Sequence, residues 1–266
     1  MDDIRFRQLI EQLGFSRAGY RRVRKGVKKR IARHMRDLGC RNMSAYLFEL
    51  ENSPEKMQQC RMLMTVSISR FLRDREFWPA FQSRMIPDLI ENKKEKLKVW
   101  SAGCACGEEV YSFKIIWDKF FAHLPEPKIT ATDMNPEYLD RTRVGIYQAS
   151  SLREVGKELQ SAYFETMKNG HYAVRENIKE NIILKQHNLL CDDPPGSEFH
   201  IIFLRNNLLT YYENKLITVP FRKIVNTLVP SGFLIIGSHE NLPFETDDLI
   251  SFKPYSYVFR KKLCSE

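Results

Sequence analysis

Val99-Trp100-Ser101-Ala102-Gly103-Cys104-Ala105-Cys106-Gly107-Glu108-Glu109 runs from a short apolar strand, through a turn holding two glycines, into a helix. Such a turn lets the backbone approach a ligand closely at the carboxyl end of a first strand. The glycines are not spaced GxGxxG, which disfavours a dinucleotide. Glu108 and Glu109 suit the positive end of the helix dipole. They also suit a cationic ligand better than a phosphate, which carboxylates repel. About two dozen residues further on, at the spacing where an acid meets a ribose, stands Ala131-Thr132-Asp133-Met134-Asn135. Asp133 is placed to take both ribose hydroxyls; the competing reading makes it a helix N-cap, with Asn135 before Pro136 as a second capping candidate. A third polar group, Arg205-Asn206-Asn207, follows the apolar run Ile202-Phe203-Leu204. It either lines the crevice above a sheet or forms a plain surface turn.

Outward from this stretch, strands at 97–102, 129–132, 182–186, 201–204 and 233–237 alternate with helices at 108–121 and from Pro136. That alternation predicts an α/β fold with a doubly wound parallel sheet. Lys168-Asn169-Gly170 lies between Phe164 and Tyr172-Ala173-Val174, the pattern of a small antiparallel β-hairpin inserted at about 163–181. Asp193-Pro194-Pro195-Gly196 superficially matches the (D/N)PP(Y/F) motif of base-modifying amino-methyltransferases. It precedes a strand and ends in glycine where a stacking aromatic is needed, so it reads as a turn.

The first 74 residues read as all helical. Tyr20, Val23, Val27, Ile31 and Met35 form one apolar stripe at helical spacing. Ser16 is its expected N-cap and Gly39 its stop. Further short helices are expected at 44–51 and 54–64. A linking helix is expected over 75–91, running into the charged ENKKEK of residues 91–96. The expected division is therefore a helical part at 1–74, a link at 75–95 and a sheet domain at 96–266.

The chain has 266 residues, 43% of them hydrophobic, with a net charge of +9. Its mean hydropathy is −0.42 and its pI about 9.2. A positive surplus calls for an acidic partner: nucleic acid, an anionic membrane or an acidic protein surface. Residues 17–36 contain no Asp or Glu, and Arg24, Lys25, Lys28 and Lys29 lie off the apolar stripe. This face is the candidate docking surface; the alternative is a solvated helix face. No long uncharged apolar run is present, so membrane insertion is not expected. The opening MDDIRFRQLI carries charge where a signal peptide needs an apolar core, which points to the cytoplasm. The six cysteines are scattered, as expected of reduced thiols, and they lack the paired spacing of a metal site.

The motifs together resemble the chemotaxis receptor glutamate O-methyltransferase (CheR) family. WSAGCACGEEVYS is similar to that family's WSAGCSTGEEPYS, and ATDMNPEYLDRTRVGIY to its ATDI…L…A..G.Y. TVSISRFLRD is similar to T.N.T.FFRD, KQHNLL to.HNLL, FLRNNLLTYY to FCRNVLIYF, and LVPSGFLIIGSHE to L..GG.L.LG.SE. The six segments occur in the family order over nearly the whole chain. The resemblance implies an S-adenosylmethionine-dependent methyltransferase: a Rossmann-like sheet, a small antiparallel β-subdomain and an all-α N-terminal domain. It implies cofactor contacts at Ser67, Ser69, Arg73, Gly103, Glu108 or Glu109, Asp133, Asn188, Leu189, Asn206 and Asn207. The implied reaction is direct transfer of the methyl to glutamate carboxylates of an acidic, helical methyl-accepting receptor, leaving S-adenosylhomocysteine. A carboxylate is already a nucleophile at neutral pH and needs no strong base. Arg73 is the candidate catalytic residue, orienting that carboxylate through a forked contact. Physical reading and resemblance agree on the diol at Asp133 and a cationic centre near the acidic pair.

Several positions depart from the family pattern. Its Asn and Thr are Ser67 and Ser69, its second Phe is Leu72, its strand-opening Asp is His200, and the Cys before Arg205 is Leu204. Its tyrosine near the transferred methyl falls on Thr210, with Tyr211 one place later. Two other function classes stand beside the main reading. A nucleic-acid methyltransferase fits the basic pI, but no basic groove interleaved with aromatics supports it, so no nucleic-acid partner is expected. A cofactor-binding regulator with weak activity fits the change at Thr210. Members of the family that grip a tethering peptide carry extra glycines in this hairpin; Gly170 alone is enough for a tight turn, so the resemblance implies docking without a tether, the alternative being a different tether with its own sequence.

Overall fold

A computed structural model describes residues 1–90 and 96–263. The strands are β1 (Lys98–Ala102), β2 (Lys128–Asp133), β3 (Ile146–Gln148), β4 (Phe164–Thr166), β5 (His171–Val174), β6 (Ile182–Gln186), β7 (Phe199–Leu204), β8 (Leu228–Ile236), β9 (Leu249–Phe252) and β10 (Tyr255–Lys261). Seven of them form one sheet in the order β6-β2-β1-β7-β8-β10-β9. β6, β2, β1, β7 and β8 pair in parallel. β10 runs antiparallel to both β8 and β9. The order reverses at β1, between β2 and β7, and the crevice at such a switch point is where open α/β sheets bind ligands.

The central strands are buried on both faces, and their alternation sorts the core. Val99, Ile201, Phe203, Phe233 and Ile235 point into one apolar cluster. Trp100, Ala102, Ile202, Leu204, Leu234 and Ile236 point into the other. The terminal hairpin β9–β10 lies beyond the last strand expected from sequence. Its core-facing members are spaced among Lys, Arg and Ser, so the run lacks a continuous apolar signature.

The helical part comprises α1 (Asp3–Leu13), α2 (Arg17–Tyr20), α3 (Arg24–Asp37), α4 (Met43–Glu51) and α5 (Pro54–Met64). The expected single helix from Ser16 is instead two. Ser16 caps the short α2 through Gly19 N–H, and the chain turns at residues 21–23 before α3 begins. The break lets Tyr20 turn inward, where its hydroxyl donates to the Met64 carbonyl at 3.1 Å. Gly39, at φ +68°, follows α3 as expected.

The expected link at 75–91 is α6 (Phe77–Ala80), one π turn (Phe81–Met85) and α7 (Ile86–Ile90); residues 91–95 lie outside the described residues. Phe77, Trp78 and Phe81 pack their rings on Phe203 of β7, so this segment roofs the sheet. The small antiparallel sheet has three strands, β3-β5-β4, and so recruits Ile146–Gln148 to the expected hairpin. Its connecting turn closes with Gly170 N–H on the Met167 carbonyl at 3.0 Å, with Gly170 at φ +76°.

The remaining helices are α8 (Glu108–Phe121), α9 (Pro136–Val144), α10 (Lys157–Tyr163), α11 (Glu176–Lys179), α12 (Leu208–Tyr211) and α13 (Asn214–Asn226). α2 and α12 pin the helical part to the sheet. Ser16 N–H donates to the Tyr211 carbonyl at 2.9 Å, and Glu213 N–H to that of Gly14 at 3.1 Å. Phe15 and Tyr212 form a β-bridge and lie with ring centroids 4.9 Å apart.

A Cβ on Gly19 would stand 2.2 Å from the Thr210 backbone oxygen. Gly19→Ala is therefore expected to cost about 1–3 kcal/mol, because backbone cannot yield as a side chain does. Gly26 sits inside α3 with only the Arg30 guanidinium near, at 3.9 Å. Gly26→Ala is expected to stabilise by about 0.5–1 kcal/mol. Urea unfolding of the two variants should shift the midpoint in opposite directions.

Candidate functional site

The carboxyl ends of β1, β2 and β7 open into a cleft that the helical part walls on its far side. The glycine turn forms its floor. Gly103 and Cys104 both donate N–H to the Thr132 carbonyl at 2.8 Å, which stitches the turn to the end of β2. Gly103 has φ +86°, and a Cβ there would lie 1.3 Å from Asn207 Nδ2. Glycine is thus demanded twice, by backbone conformation and by the packed amide.

Asp133 ends β2 and is 8% exposed. Its Oδ2 accepts Ala105 N–H at 3.0 Å and its Oδ1 accepts Asn135 N–H at 2.9 Å. The helix cap is Asn135, whose Oδ1 accepts Glu137 N–H, so Asp133 is not the N-cap. Burial pushes the Asp133 carboxyl above its ordinary pKa, opposed by those backbone N–H groups.

Glu109 and Glu108 part company. Glu109 lines the cleft, accepting from Ser101 Oγ at 2.8 Å and from Arg205 Nη1 at 3.4 Å. Arg205, with its side chain 4% exposed, also donates to Asp74. Two carboxylates around one guanidinium leave one negative charge on this wall. Burial raises the pKa of Glu109, and Arg205 opposes it. Glu108 does not line the cleft: it is buried towards Arg141 and Ser151, and burial raises its pKa. Ser67 is likewise outside the lining, and its hydroxyl bonds the Cys106 thiol.

Ser69, Arg73, Gly103, Glu109, Asp133, Asn188, Leu189, Asn206 and Asn207 are all brought to this one cleft. Asn188 shapes its own loop, accepting Leu190 N–H at 3.0 Å. Among the described residues the Arg73 guanidinium makes no ion pair and donates one hydrogen bond, a 3.4 Å contact to the Ile68 carbonyl, while the Arg73 carbonyl accepts from Trp78 Nε1 at 2.9 Å. Arg24, Lys25, Lys28 and Lys29 lie away from the cleft, on a separate basic face with Arg33 and Arg36. Asp3 answers part of that charge, 2.9 Å from Lys28 and 3.9 Å from Arg24.

Sequence reasoning missed much of the aromatic wall. Phe15, Tyr20, Trp78, Tyr138, Tyr211 and Tyr212 line the cleft. Thr210 turns away, its hydroxyl donating to Glu240, which also accepts from Asn206 and Gly237 N–H groups. Tyr211 brings a phenol to the cleft from the next position; burial raises its pKa and the Arg73 guanidinium opposes that rise. Arg205 and Asp74 were missed as a pair because nothing in sequence links positions 131 apart. Four residues of the cleft loops, Leu72, Asp74, Ala105 and Asn206, hold positive φ without being glycine. Such strain gathers at functional sites, where the surrounding fold enforces it.

The arrangement suits a ligand with a diol for Asp133, a positive centre near the Glu109–Asp74 wall and a carboxylate for Arg73. Residues 67–258 match the family described as CheR methyltransferase, SAM binding domain. The chain is 30% identical over 251 residues to the methyltransferase Cher3 of Pseudomonas putida, covering 91% of this chain and 90% of that one. It is 33% identical over 181 residues to a chemotaxis protein methyltransferase of Listeria innocua, covering 68% and 67%. A Vibrio cholerae protein of similar name is 30% identical over 189 residues, covering 69% and 68%.

Asp133→Asn is expected to weaken S-adenosylmethionine binding roughly tenfold or more, the worth of a charge-assisted hydrogen bond. It also leaves Ala105 or Asn135 N–H without an acceptor, at about 1–3 kcal/mol of stability. A carboxyl with a raised folded pKa binds its proton before the unfolded chain does. It therefore detracts from stability above that pKa, and the cost is relieved as pH falls through it. Ligand affinity runs the other way if the diol needs the carboxylate: it should fall on acidification, from above the usual aspartate value of about 3.9. Calorimetric titration across pH should show that fall in the wild type and a flat, weak profile in Asp133→Asn.

Proposed function

This chain belongs to the CheR methyltransferase family, with S-adenosylmethionine as its cofactor, and from that premise we propose that it methylates glutamate side chains of a methyl-accepting receptor protein. When bound, S-adenosylmethionine supplies an electrophilic methyl group on a sulfonium. The observation that carries the reading is Arg73: a guanidinium with no ion pair among the described residues, lining the same cleft as buried Asp133 and Gly103.

Asp133 holds the ribose diol, and its two backbone N–H partners keep the carboxylate aimed. Gly103 leaves room for the Asn207 amide to pack against the floor of the cleft. The negative charge left by Glu109, Asp74 and Arg205 favours a cationic ligand over a neutral one. Arg73 orients the acceptor carboxylate by a bidentate contact. The acceptor is already ionised at neutral pH, so no residue has to remove a proton. Proximity and orientation then account for most of the acceleration. Trp78, Tyr138, Tyr211 and Tyr212 narrow the space around the reacting groups and exclude water.

The basic face of α3 docks the receptor through its acidic helix. Lys25 and Lys29 contribute most, because Asp3 already answers part of the charge of Arg24 and Lys28. The turn at Met167–Gly170 is tight, which supports docking through the helical part rather than through a tether held at the hairpin. Among the described residues no helix is long and apolar enough to cross a membrane.

Incubation with radiolabelled S-adenosylmethionine and a soluble receptor fragment should put base-labile label on protein; label on RNA instead would overturn the proposal. Arg73→Ala should lower kcat for the receptor at least tenfold more than it weakens cofactor binding, the pattern of a group that acts on the acceptor in the transition state. Replacing Arg24, Lys25, Lys28 and Lys29 with Ala should raise KM for the receptor at low ionic strength, with the difference fading in high salt.

A further inference from the structure

Arg70 and Arg75 flank Arg73 in sequence but are absent from every role assigned above. Arg70 lines the cleft wall. Its guanidinium lies 3.5 Å from Glu154, on the loop that follows the 3-10 turn Ala149–Leu152. Arg75 reaches the same carboxylate at 3.7 Å, and Arg153 reaches it at 3.2 Å. One carboxylate thus gathers three guanidiniums, leaving two positive charges unanswered by it. Glu154 is the shielded member, its side chain 22% exposed, whereas Arg75 is 76% and Arg153 59% exposed. The acid holds the cluster together while Arg75 and Arg153 face solvent and Arg70, 29% exposed, faces the cleft.

The cluster is fixed relative to the cleft. Phe71 N–H donates to the Ser151 carbonyl at 3.0 Å, tying the Arg70 backbone to the turn that carries Arg153 and Glu154. Leu72 N–H donates to Ser112 Oγ at 2.8 Å, tying the same segment to α8. Asp74 has φ +59° and sends its carboxylate to buried Arg205, while Arg75 beside it stays outside with its charge turned to Glu154. Ile68, 65% exposed, lines the cleft two residues before Arg70. An apolar side chain beside a rigid cationic ledge, one turn of chain from Arg73, matches an amphipathic helix that carries acids around a single reacting carboxylate.

We infer that Arg70, Arg75 and Arg153, gathered on Glu154, form a second docking ledge at the cleft mouth that selects methyl-accepting glutamates flanked by other acidic residues on an acceptor helix. This rests on the proposed protein-glutamate activity and adds a choice among glutamates to it. The basic face of α3 sets which protein is held; the ledge sets which of its carboxylates enters. Guanidinium forks suit carboxylate flanks, and surface cations act through screened attraction.

The test uses the full-length protein and two versions of a soluble receptor fragment. One keeps the acidic residues around the target glutamate, and the other has them changed to the corresponding amides. The ratio of kcat/KM for the two fragments is the readout. The wild type should prefer the acidic version at low salt. Arg75→Ala combined with Arg153→Ala, neither of which lines the cleft, should cut that preference roughly five- to tenfold through KM. Adding Arg70→Ala should abolish it, and Lys at all three positions should restore part of it. A wild-type preference that survives in the double and triple variants overturns the ledge. Absence of transfer to either fragment by the wild type would instead refute the underlying activity, so the two failures are told apart.

Discussion

Arg205 cannot sit where it does without company. It stands at the end of β7, its side chain 4% exposed, and a buried cation needs its charge answered. Asp74 answers it from the segment ahead of the sheet, and Glu109 from the first turn of α8. Three stretches of chain that share no local sequence logic are thereby held to one point at the rim of the cleft. Removing one partner of such a group typically costs about 3–5 kcal/mol, because the charges left behind remain buried. Phe77 under the Arg205 guanidinium, at 5.6 Å from its carbon to the ring centroid, closes the fourth side. The position of Asp74 fixes Arg73 on one side of it and Arg75 on the other. The catalytic candidate and the outer ledge both inherit their placement from this buried ion group.

The backbone around that group is bent in the same service. Leu72, Asp74, Ala105 and Asn206 all adopt left-handed φ at the cleft loops, where glycine would be easier. Their side chains explain the choice for two of them: Leu72 is buried in the core, and Asp74 binds Arg205. Asn206 has its N–H held by Glu240, which also holds Thr210 and Gly237. Thr210 is thereby bound into the turn, and the cleft receives its phenol from Tyr211 instead. The ring 5.0 Å away from Tyr211 is Tyr20, from the helical part.

What the sequence made legible follows from how local each signal is. The turn Gly103–Gly107, the acid at Asp133 and the alternation of strands and helices are short-range patterns, and they located the switch point and the floor of the cleft, while its aromatic wall stayed hidden. The break between α2 and α3 was hidden, because Tyr20 and Val23 keep the apolar stripe in phase while the backbone turns for the sake of the Tyr20 hydroxyl. β9 and β10 were hidden for a different reason: only Leu249 and Val258 of the hairpin are fully buried, too few to set a period. Glu108 and Glu109 looked equivalent as neighbours. On a helix their directions differ by about 100°, which sends Glu109 to Arg205 and Glu108 under the sheet's neighbour loop.

The wall shared by the helical part and the sheet bears on how docking reaches the chemistry. α2 meets α12 with no spare volume, since Gly19 touches the Thr210 carbonyl where any side chain would collide. Phe15 and Tyr20 from the helical part stack on Tyr212 and Tyr211 and line the cleft beside them. α3 packs on α5 and its stripe residues share one cluster with Phe15 and Tyr20. A protein held on the basic face of α3 would therefore be held on the same packed body that walls the cleft. The path from that face to Arg73 crosses close-packed rings and backbone contacts, which transmit position with little slack. A short tight hairpin at Met167–Gly170 fits the proposed docking through α3: where a docking face and a cleft share a wall, orientation of an acceptor needs no flexible tether to bring the two together.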